Sequence, residues 1–86
     1  MAIEAVKATI RQGNQAVDDA KRTMESANAD LIDGTAMVLA ALHDTGNEEA
    51  EQARKKLSDA AHEIKLTLRR LAAAKSQAES YLETLG

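Results

Sequence analysis

The chain has 86 residues, a net charge of −3, and no Cys, Pro, Trp or Phe. This length suits one small domain, and the lack of Cys excludes disulfides and thiolate zinc sites. Charged residues make up 29% of the sequence with both signs mixed, so the basic footprint typical of a nucleic-acid-binding protein is missing.

No signal for a membrane span or a classical leader appears in the sequence. No run reaches the roughly 18 apolar residues that a transmembrane helix needs. The N-terminal stretch contains Glu4 and lacks an unbroken apolar core. We therefore expect a protein that is cytoplasmic, or secreted without a classical signal peptide.

The first predicted element is a long helix from about residue 2 to 43. Large apolar residues recur at every seventh position, the spacing of a helix that packs along another helix. This first apolar row contains Ile3, Ile10, Val17, Met24, Leu31 and Val38. We predict that the row three positions further on completes the contact surface. That row contains Val6, Gly13, Ala20, Ala27, Gly34 and Ala41.

Two glycines lie within this helical pattern. Gly costs about 1 kcal/mol relative to Ala inside a helix, so Gly13 and Gly34 are expected where two backbones approach closely. The alternative is that Gly34 divides helix 1 into two pieces.

A turn is predicted at residues 44–47, within the sequence His43-Asp44-Thr45-Gly46-Asn47. Gly46 adopts turn conformations easily. Either Asn47 caps the next helix, or Thr45 does so in a capping box with Glu48.

The second predicted helix runs from about residue 47 to 85. Its first row repeats every seventh residue and contains Ala50, Leu57, Ile64, Leu71, Ala78 and Leu85. The predicted companion row is small, apart from its last member, and contains Ala53, Ala60, Thr67, Ala74 and Tyr81.

These elements predict an all-α fold, with residues 1–86 forming a single antiparallel two-helix hairpin that resembles a coiled coil. A turn centred between Thr45 and Gly46 would place Val17 opposite Ala74 and Ala20 opposite Leu71. Large residues would then meet small ones, which is how a helix contact packs tightly.

Several large apolar residues remain outside the predicted contact. Exposed apolar surface of this kind usually marks an interface, and small chains with thin cores often gain stability by associating. We therefore predict a homodimer, or a heterodimer with another helical hairpin, built as a four-helix bundle. The predicted interface residues are Ile32, Leu39, Leu42, Leu68 and Leu82.

The alternative function is an adaptor or regulator that binds an acidic or nucleic-acid partner through the basic side of helix 2. Its candidate contacts are Arg54, Lys55, Lys56, Arg69 and Arg70. Binding of this type should weaken steeply with salt.

Nothing in the sequence predicts an enzyme, a metal site or a cofactor site. His43 and His62 lie nineteen residues apart, on different predicted helices, and are expected to be solvated. No nucleophile motif or phosphate-binding loop is present, so we expect no catalytic, cofactor-binding or metal-binding residues.

The arrangement resembles the small WXG-type, early-secreted-antigen-like helical hairpins of actinobacterial type VII secretion. The resemblance covers two segments of about forty residues around a Gly-containing turn, and an end that reads Tyr81-Leu82-x-x-Leu85-Gly86. Two family motifs are absent. Asp44 stands where Trp-x-Gly would place Trp, and Leu85 stands where Tyr-x-x-x-Asp/Glu would place the acid. The resemblance implies a non-enzymatic helical hairpin that homo- or heterodimerises and is encoded beside a secretion system or a toxin.

Overall fold

A computed structural model of the protein describes residues 2–43 and 46–86 and consists of two antiparallel helices. Helix α1 spans Ala2–Ala41 and helix α2 spans Glu48–Leu85. The hairpin measures 65 × 16 × 14 Å, and no strand occurs in the described ranges. The predicted all-α hairpin is confirmed.

Helix α1 is continuous through Gly34, so the alternative of two shorter helices is wrong. It ends at Ala41, two residues before the predicted end. Beyond it, the Leu42 amide donates to the Val38 carbonyl at 3.0 Å, and the His43 amide donates to the Ala40 carbonyl at 3.4 Å. The second of these bonds spans only three residues, so the chain tightens as the helix ends.

Asn47 is the N-cap of α2. Its side-chain oxygen accepts a hydrogen bond from the Glu49 amide at 2.6 Å, and its backbone is extended, with φ −90° and ψ 139°. A cap of this type contributes about 1 kcal/mol. Asp44 and Thr45, and therefore the predicted capping box, lie outside the described residues.

The contact surface of α1 differs from the prediction in one of its two rows. The middle of the first apolar row is half-buried, as expected, at Ile10, Val17, Met24 and Leu31. The predicted second row is exposed along its whole length, from Val6 to Ala41. The half-buried residues lie instead one position later, at Lys7, Asn14, Lys21, Asn28, Thr35 and Leu42.

The same change occurs in α2. Its first row is buried or half-buried throughout. The companion row that completes the contact lies four residues on from each first-row residue, at Arg54, Ala61, Leu68, Lys75 and Leu82, all of them half-buried. Of the predicted companion row, Ala53 and Thr67 are half-buried, whereas Ala60, Ala74 and Tyr81 are exposed.

The size of the side chains on α2 explains this choice. Burying a Leu contributes up to about 3 kcal/mol, far more than burying an Ala, so α2 turns its two Leu-containing rows toward α1. Antiparallel packing then places polar residues of α1 against them. The stem of Lys7, whose side chain is only 12% exposed, covers apolar surface while its ammonium reaches the rim.

The alignment of α1 and α2 along their length also differs from the prediction, because different rows are in contact. Lys75 Nζ lies 2.9 Å from Asp18 Oδ1, and Lys7 Nζ donates to the Gly86 carbonyl. The predicted register would have placed Ala73, two positions earlier, opposite Asp18. The pairing of Val17 with Ala74 and of Ala20 with Leu71 is therefore wrong by about half a turn.

Candidate interaction surfaces

The five predicted interface residues divide into two groups. Ile32 and Leu39 are exposed, by 55% and 36%. Leu42, Leu68 and Leu82 are half-buried and belong to the rows of residues that pack between α1 and α2, which we call the contact rows. The expectation that these three lie outside the contact between the helices is wrong, because the hairpin itself half-buries them; their contact with a partner stays a prediction.

Ile32 and Leu39 line an open groove of about 410 Å³ near the turn end of the hairpin. Its other apolar walls include Leu31, Leu57 and Ala61, and Arg54 lies at its edge. The structure thus brings two predicted interface residues and one predicted basic contact into a single groove.

Arg54 has a structural role that the sequence prediction missed. Its Nη1 lies 3.0 Å from Glu51 Oε1, and its Nη2 donates to the Leu42 carbonyl at 3.4 Å. That carbonyl follows the C-terminal end of α1, where the helix dipole favours a cation. Lys7 does the same for α2, since its ammonium binds the Gly86 carbonyl.

The C-terminal end of each helix therefore receives a cation from the other helix. Neither α1 nor α2 has a basic residue in its own last turn. That absence was the available signal in the sequence, but only the tertiary fold shows which residues compensate for it.

The remaining predicted basic contacts, Lys55, Lys56, Arg69 and Arg70, are exposed on α2. The two pairs lie fourteen residues apart, which is roughly 21 Å along a helix. With Arg54 engaged at the helix end, four of the five predicted contacts are presented to solvent. Binding of an acidic partner through them stays a prediction, with salt dependence as its test.

Asp18 and Lys75 form the ion pair that joins the middle parts of the two helices. Lys75 Nζ lies 2.9 Å from Asp18 Oδ1 and donates to Oδ2 at 3.0 Å. The two side chains are 31% and 27% exposed. Lys75 interrupts the otherwise apolar row of Ala61, Leu68 and Leu82 on α2, and the pairing with Asp18 on α1 accounts for its charge there.

This pair shifts the pKa of both partners. The hydrogen bond from Lys75 lowers the pKa of Asp18, with desolvation opposing it and the nearby positive charges of Lys75, Lys21 and Arg22 adding to it. The hydrogen bond to Asp18 raises the pKa of Lys75, again against desolvation and with help from Asp18 and Glu79.

The lowered pKa of Asp18 predicts an acid-dependent loss of stability. The contribution of Asp18 is present above 3.8, its ordinary value, and disappears as the pH falls through its lower folded-state value. Lys75 has the opposite sign, since its contribution is present below 10.5 and is lost as the pH rises through its higher folded-state value.

We therefore expect Asp18→Asn to reduce the loss of unfolding free energy between pH 5 and roughly pH 2, as measured by urea unfolding. The exposed Asp59→Asn serves as a matched control and should retain the full acid dependence. An Asp18→Asn profile that coincides with that of the natural chain would contradict the assignment.

A second surface lies on the opposite side of the contact rows from the groove. On each helix it consists of the residues one position before the second contact row, which begins at Lys7 on α1 and at Arg54 on α2. These two sets of residues lie on the same side of an antiparallel helix pair. We name it the uncharged face: Val6, Gly13, Ala20, Ala27, Gly34, Ala41, Ala53, Ala60, Thr67, Ala74 and Tyr81. No charged residue belongs to it, whereas the groove side carries Glu25 and Lys65.

The uncharged face contains both glycines of α1. A Cβ built on Gly13 or Gly34 meets nothing within 4 Å, so the hairpin has no close backbone approach at either position. The expectation that these glycines lie against α2 is wrong.

His62 is exposed on α2. Among residues 2–43 and 46–86, no group of three or more His, Asp or Glu is placed to hold a metal ion. In the same part of the chain, neither helix has the length and apolarity needed to cross a bilayer.

Comparison of the chain with protein-family models, with curated proteins and with solved structures finds no match.

Proposed function

We propose that this protein is a non-enzymatic interaction module that docks a second helical hairpin, either another copy or a related chain, to form a four-helix bundle. Its mechanism is burial of a helix face rather than chemistry. The resemblance to WXG-type hairpins extends the proposal to a role beside a type VII-like secretion system.

The observation that carries this proposal is the large accessible surface of the hairpin. It exposes 6304 Å². A compact monomer of 9.2 kDa would expose about 4,900 Å². The excess, about 1,400 Å², is more than the roughly 800 Å² that each partner contributes to a standard protein interface.

The thin core supports the same conclusion. Within the described ranges Ala50 is the one buried residue, 5% exposed. The contact rows also contain polar groups, and Asn28 Oδ1 is buried there with no hydrogen-bond partner in the described part of the chain. An unsatisfied buried group of this kind costs about 1–3 kcal/mol, so the contact between the helices is weak, and burial of further apolar surface by a partner would add stability that the hairpin alone lacks.

Sedimentation and light scattering of the natural chain at micromolar concentration test the proposal. We expect a dimer mass, and a urea midpoint that rises with protein concentration, because association stabilises the folded state by mass action. A well-folded monomer whose midpoint is independent of concentration would contradict it. A monomer that loses its helicity on dilution would support a requirement for a partner.

A further inference from the structure

We infer that the uncharged face is the docking surface and that its occupant is a second copy of this chain, related by a two-fold axis parallel to the hairpin. This inference rests on the proposed function and names the surface and the partner. The uncharged face replaces the set of interface residues that the sequence predicted, because three of those five, Leu42, Leu68 and Leu82, pack within the hairpin.

The first support is the cost of the two glycines. Each lowers helix stability by about 1 kcal/mol relative to Ala, although a Cβ at either position would meet nothing within the hairpin. The isolated hairpin therefore gives no reason for Gly13 or Gly34. A partner helix that approaches this face closely would supply one, since the missing Cβ atoms allow the backbones to come together.

The second support is the shape of the face near the chain ends. Ala5, Val6, Thr9 and Ile10 line a hollow of about 260 Å³, and Val6 is 42% exposed. Tyr81, the one aromatic residue of the chain, is 52% exposed. The register of the two helices places Tyr81 level with residue 12, within about one helical turn of this hollow along the hairpin.

That shared height determines the symmetry. A two-fold axis parallel to the helices keeps every residue at its own height, so each copy would bring its Tyr81 to the hollow of the other. A two-fold axis perpendicular to the helices would instead carry Tyr81 to the turn end of the partner. The same residues then serve on both copies, as a closed dimer interface requires.

The third support is area and charge. One side of the whole hairpin, about 65 Å long and 16 Å wide, offers roughly 1,000 Å² for the two rows and the residues beside them, above the approximately 800 Å² per partner of a standard interface. The two rows themselves carry no charge, so a second copy can cover them without burying an unpaired ion, while the charged residues beside them, such as Lys56 and Arg70, stay at the solvated rim. The surface is self-compatible, which favours a second copy over a charged partner.

The test compares two double variants of the full chain that add the same charge to opposite sides of α1. Ala20→Glu with Ala27→Glu places two carboxylates in the uncharged face. Ala8→Glu with Ala29→Glu places two on the side of α1 that faces away from it, since both positions lie two residues, about 200°, around the helix from the row of the uncharged face. All four positions are exposed in the hairpin, so circular dichroism should show unchanged helicity for both variants.

We expect sedimentation to give a dimer for the natural chain and for the Ala8/Ala29 variant. The dimer dissociation constant of the Ala20/Ala27 variant should rise by about 100-fold or more, because the added carboxylates would be buried without partners.

Tyr81 supplies a second measurement that needs no substitution. Its fluorescence is the only aromatic emission of the chain, and iodide should quench it less in the dimer than after dilution to the monomer. Equal quenching at both concentrations would overturn the placement of Tyr81 in the partner's hollow.

Failure of this inference is distinguishable from failure of the proposed function. If the natural chain dimerises, the Ala20/Ala27 variant dimerises equally well, and Ile32→Glu with Leu39→Glu dissociates it, the docking surface is the groove and only this inference is overturned. If the natural chain is a stable, fully helical monomer at every concentration, both are overturned.

Discussion

Replacing both Leu68 and Leu82 by Glu is expected to unfold the hairpin rather than release an intact one. Both side chains are half-buried in the contact between α1 and α2. Half-burial of two Leu side chains contributes about 2–3 kcal/mol, and a carboxylate placed against apolar neighbours costs more. The total approaches the roughly 4–13 kcal/mol that stabilises a chain of this size. Far-ultraviolet circular dichroism should therefore show a large loss of helix and a much lower urea midpoint.

The matched control is Ile32→Glu with Leu39→Glu, which adds the same charge at two exposed positions of the groove. Surface substitutions of this type usually change stability by less than about 1 kcal/mol, so this variant should keep its helicity. A Leu68/Leu82 variant that stays fully helical while losing only its association would contradict the placement of these residues between the helices.

Replacing Gly13 and Gly34 by Ala is expected to stabilise the hairpin by about 2 kcal/mol in total. Each substitution removes the helix penalty of Gly, about 1 kcal/mol, and the two sites are far enough apart for their effects to add. Neither new methyl group meets another atom within 4 Å, so no clash offsets the gain. Urea unfolding at concentrations below the dimer dissociation constant measures the effect, and the thermal midpoint should rise by roughly 10 °C.

Ser26→Ala, an exposed change on the same helix, provides the control and should give a smaller gain, about 0.5 kcal/mol. A double Gly variant that is less stable than the natural chain as a monomer would mean that α2 lies closer to these positions than the structure places it. At higher concentration the same variant should dimerise more weakly, because the added methyl groups separate the two uncharged faces.

Some features of this protein follow from local sequence alone. The seven-residue spacing of large apolar residues predicts two long helices and one row of each contact surface. The ends of α2 are equally local, because Asn47 caps it with its own side chain and Gly86, at φ 91°, closes it with a bond from its amide to the Glu83 carbonyl. These features depend on neighbours within one or two turns, so a single sequence contains their causes.

The second row of each contact surface is not local. On α1, the row beginning at Val6 is more apolar than the row beginning at Lys7. The sequence of α1 considered alone therefore predicts that the Val6 row is buried. The rows of α2 reverse that choice, since Leu68 and Leu82 gain more from burial than the small residues of α1 do. The candidate docking surface therefore differs from the predicted one: it excludes Leu68 and Leu82, and it includes Gly13 and Gly34.

The sequence by itself thus determined that the chain forms two helices joined in a hairpin and where most of their apolar residues lie. The tertiary structure alone decided which rows face each other, that Asp18 pairs with Lys75, and that Lys7 and Arg54 each bind a carbonyl at the end of the opposite helix. The physical reason is that helix periodicity fixes the positions of side chains around one helix, whereas the side that each helix buries depends on the total surface that both bury together.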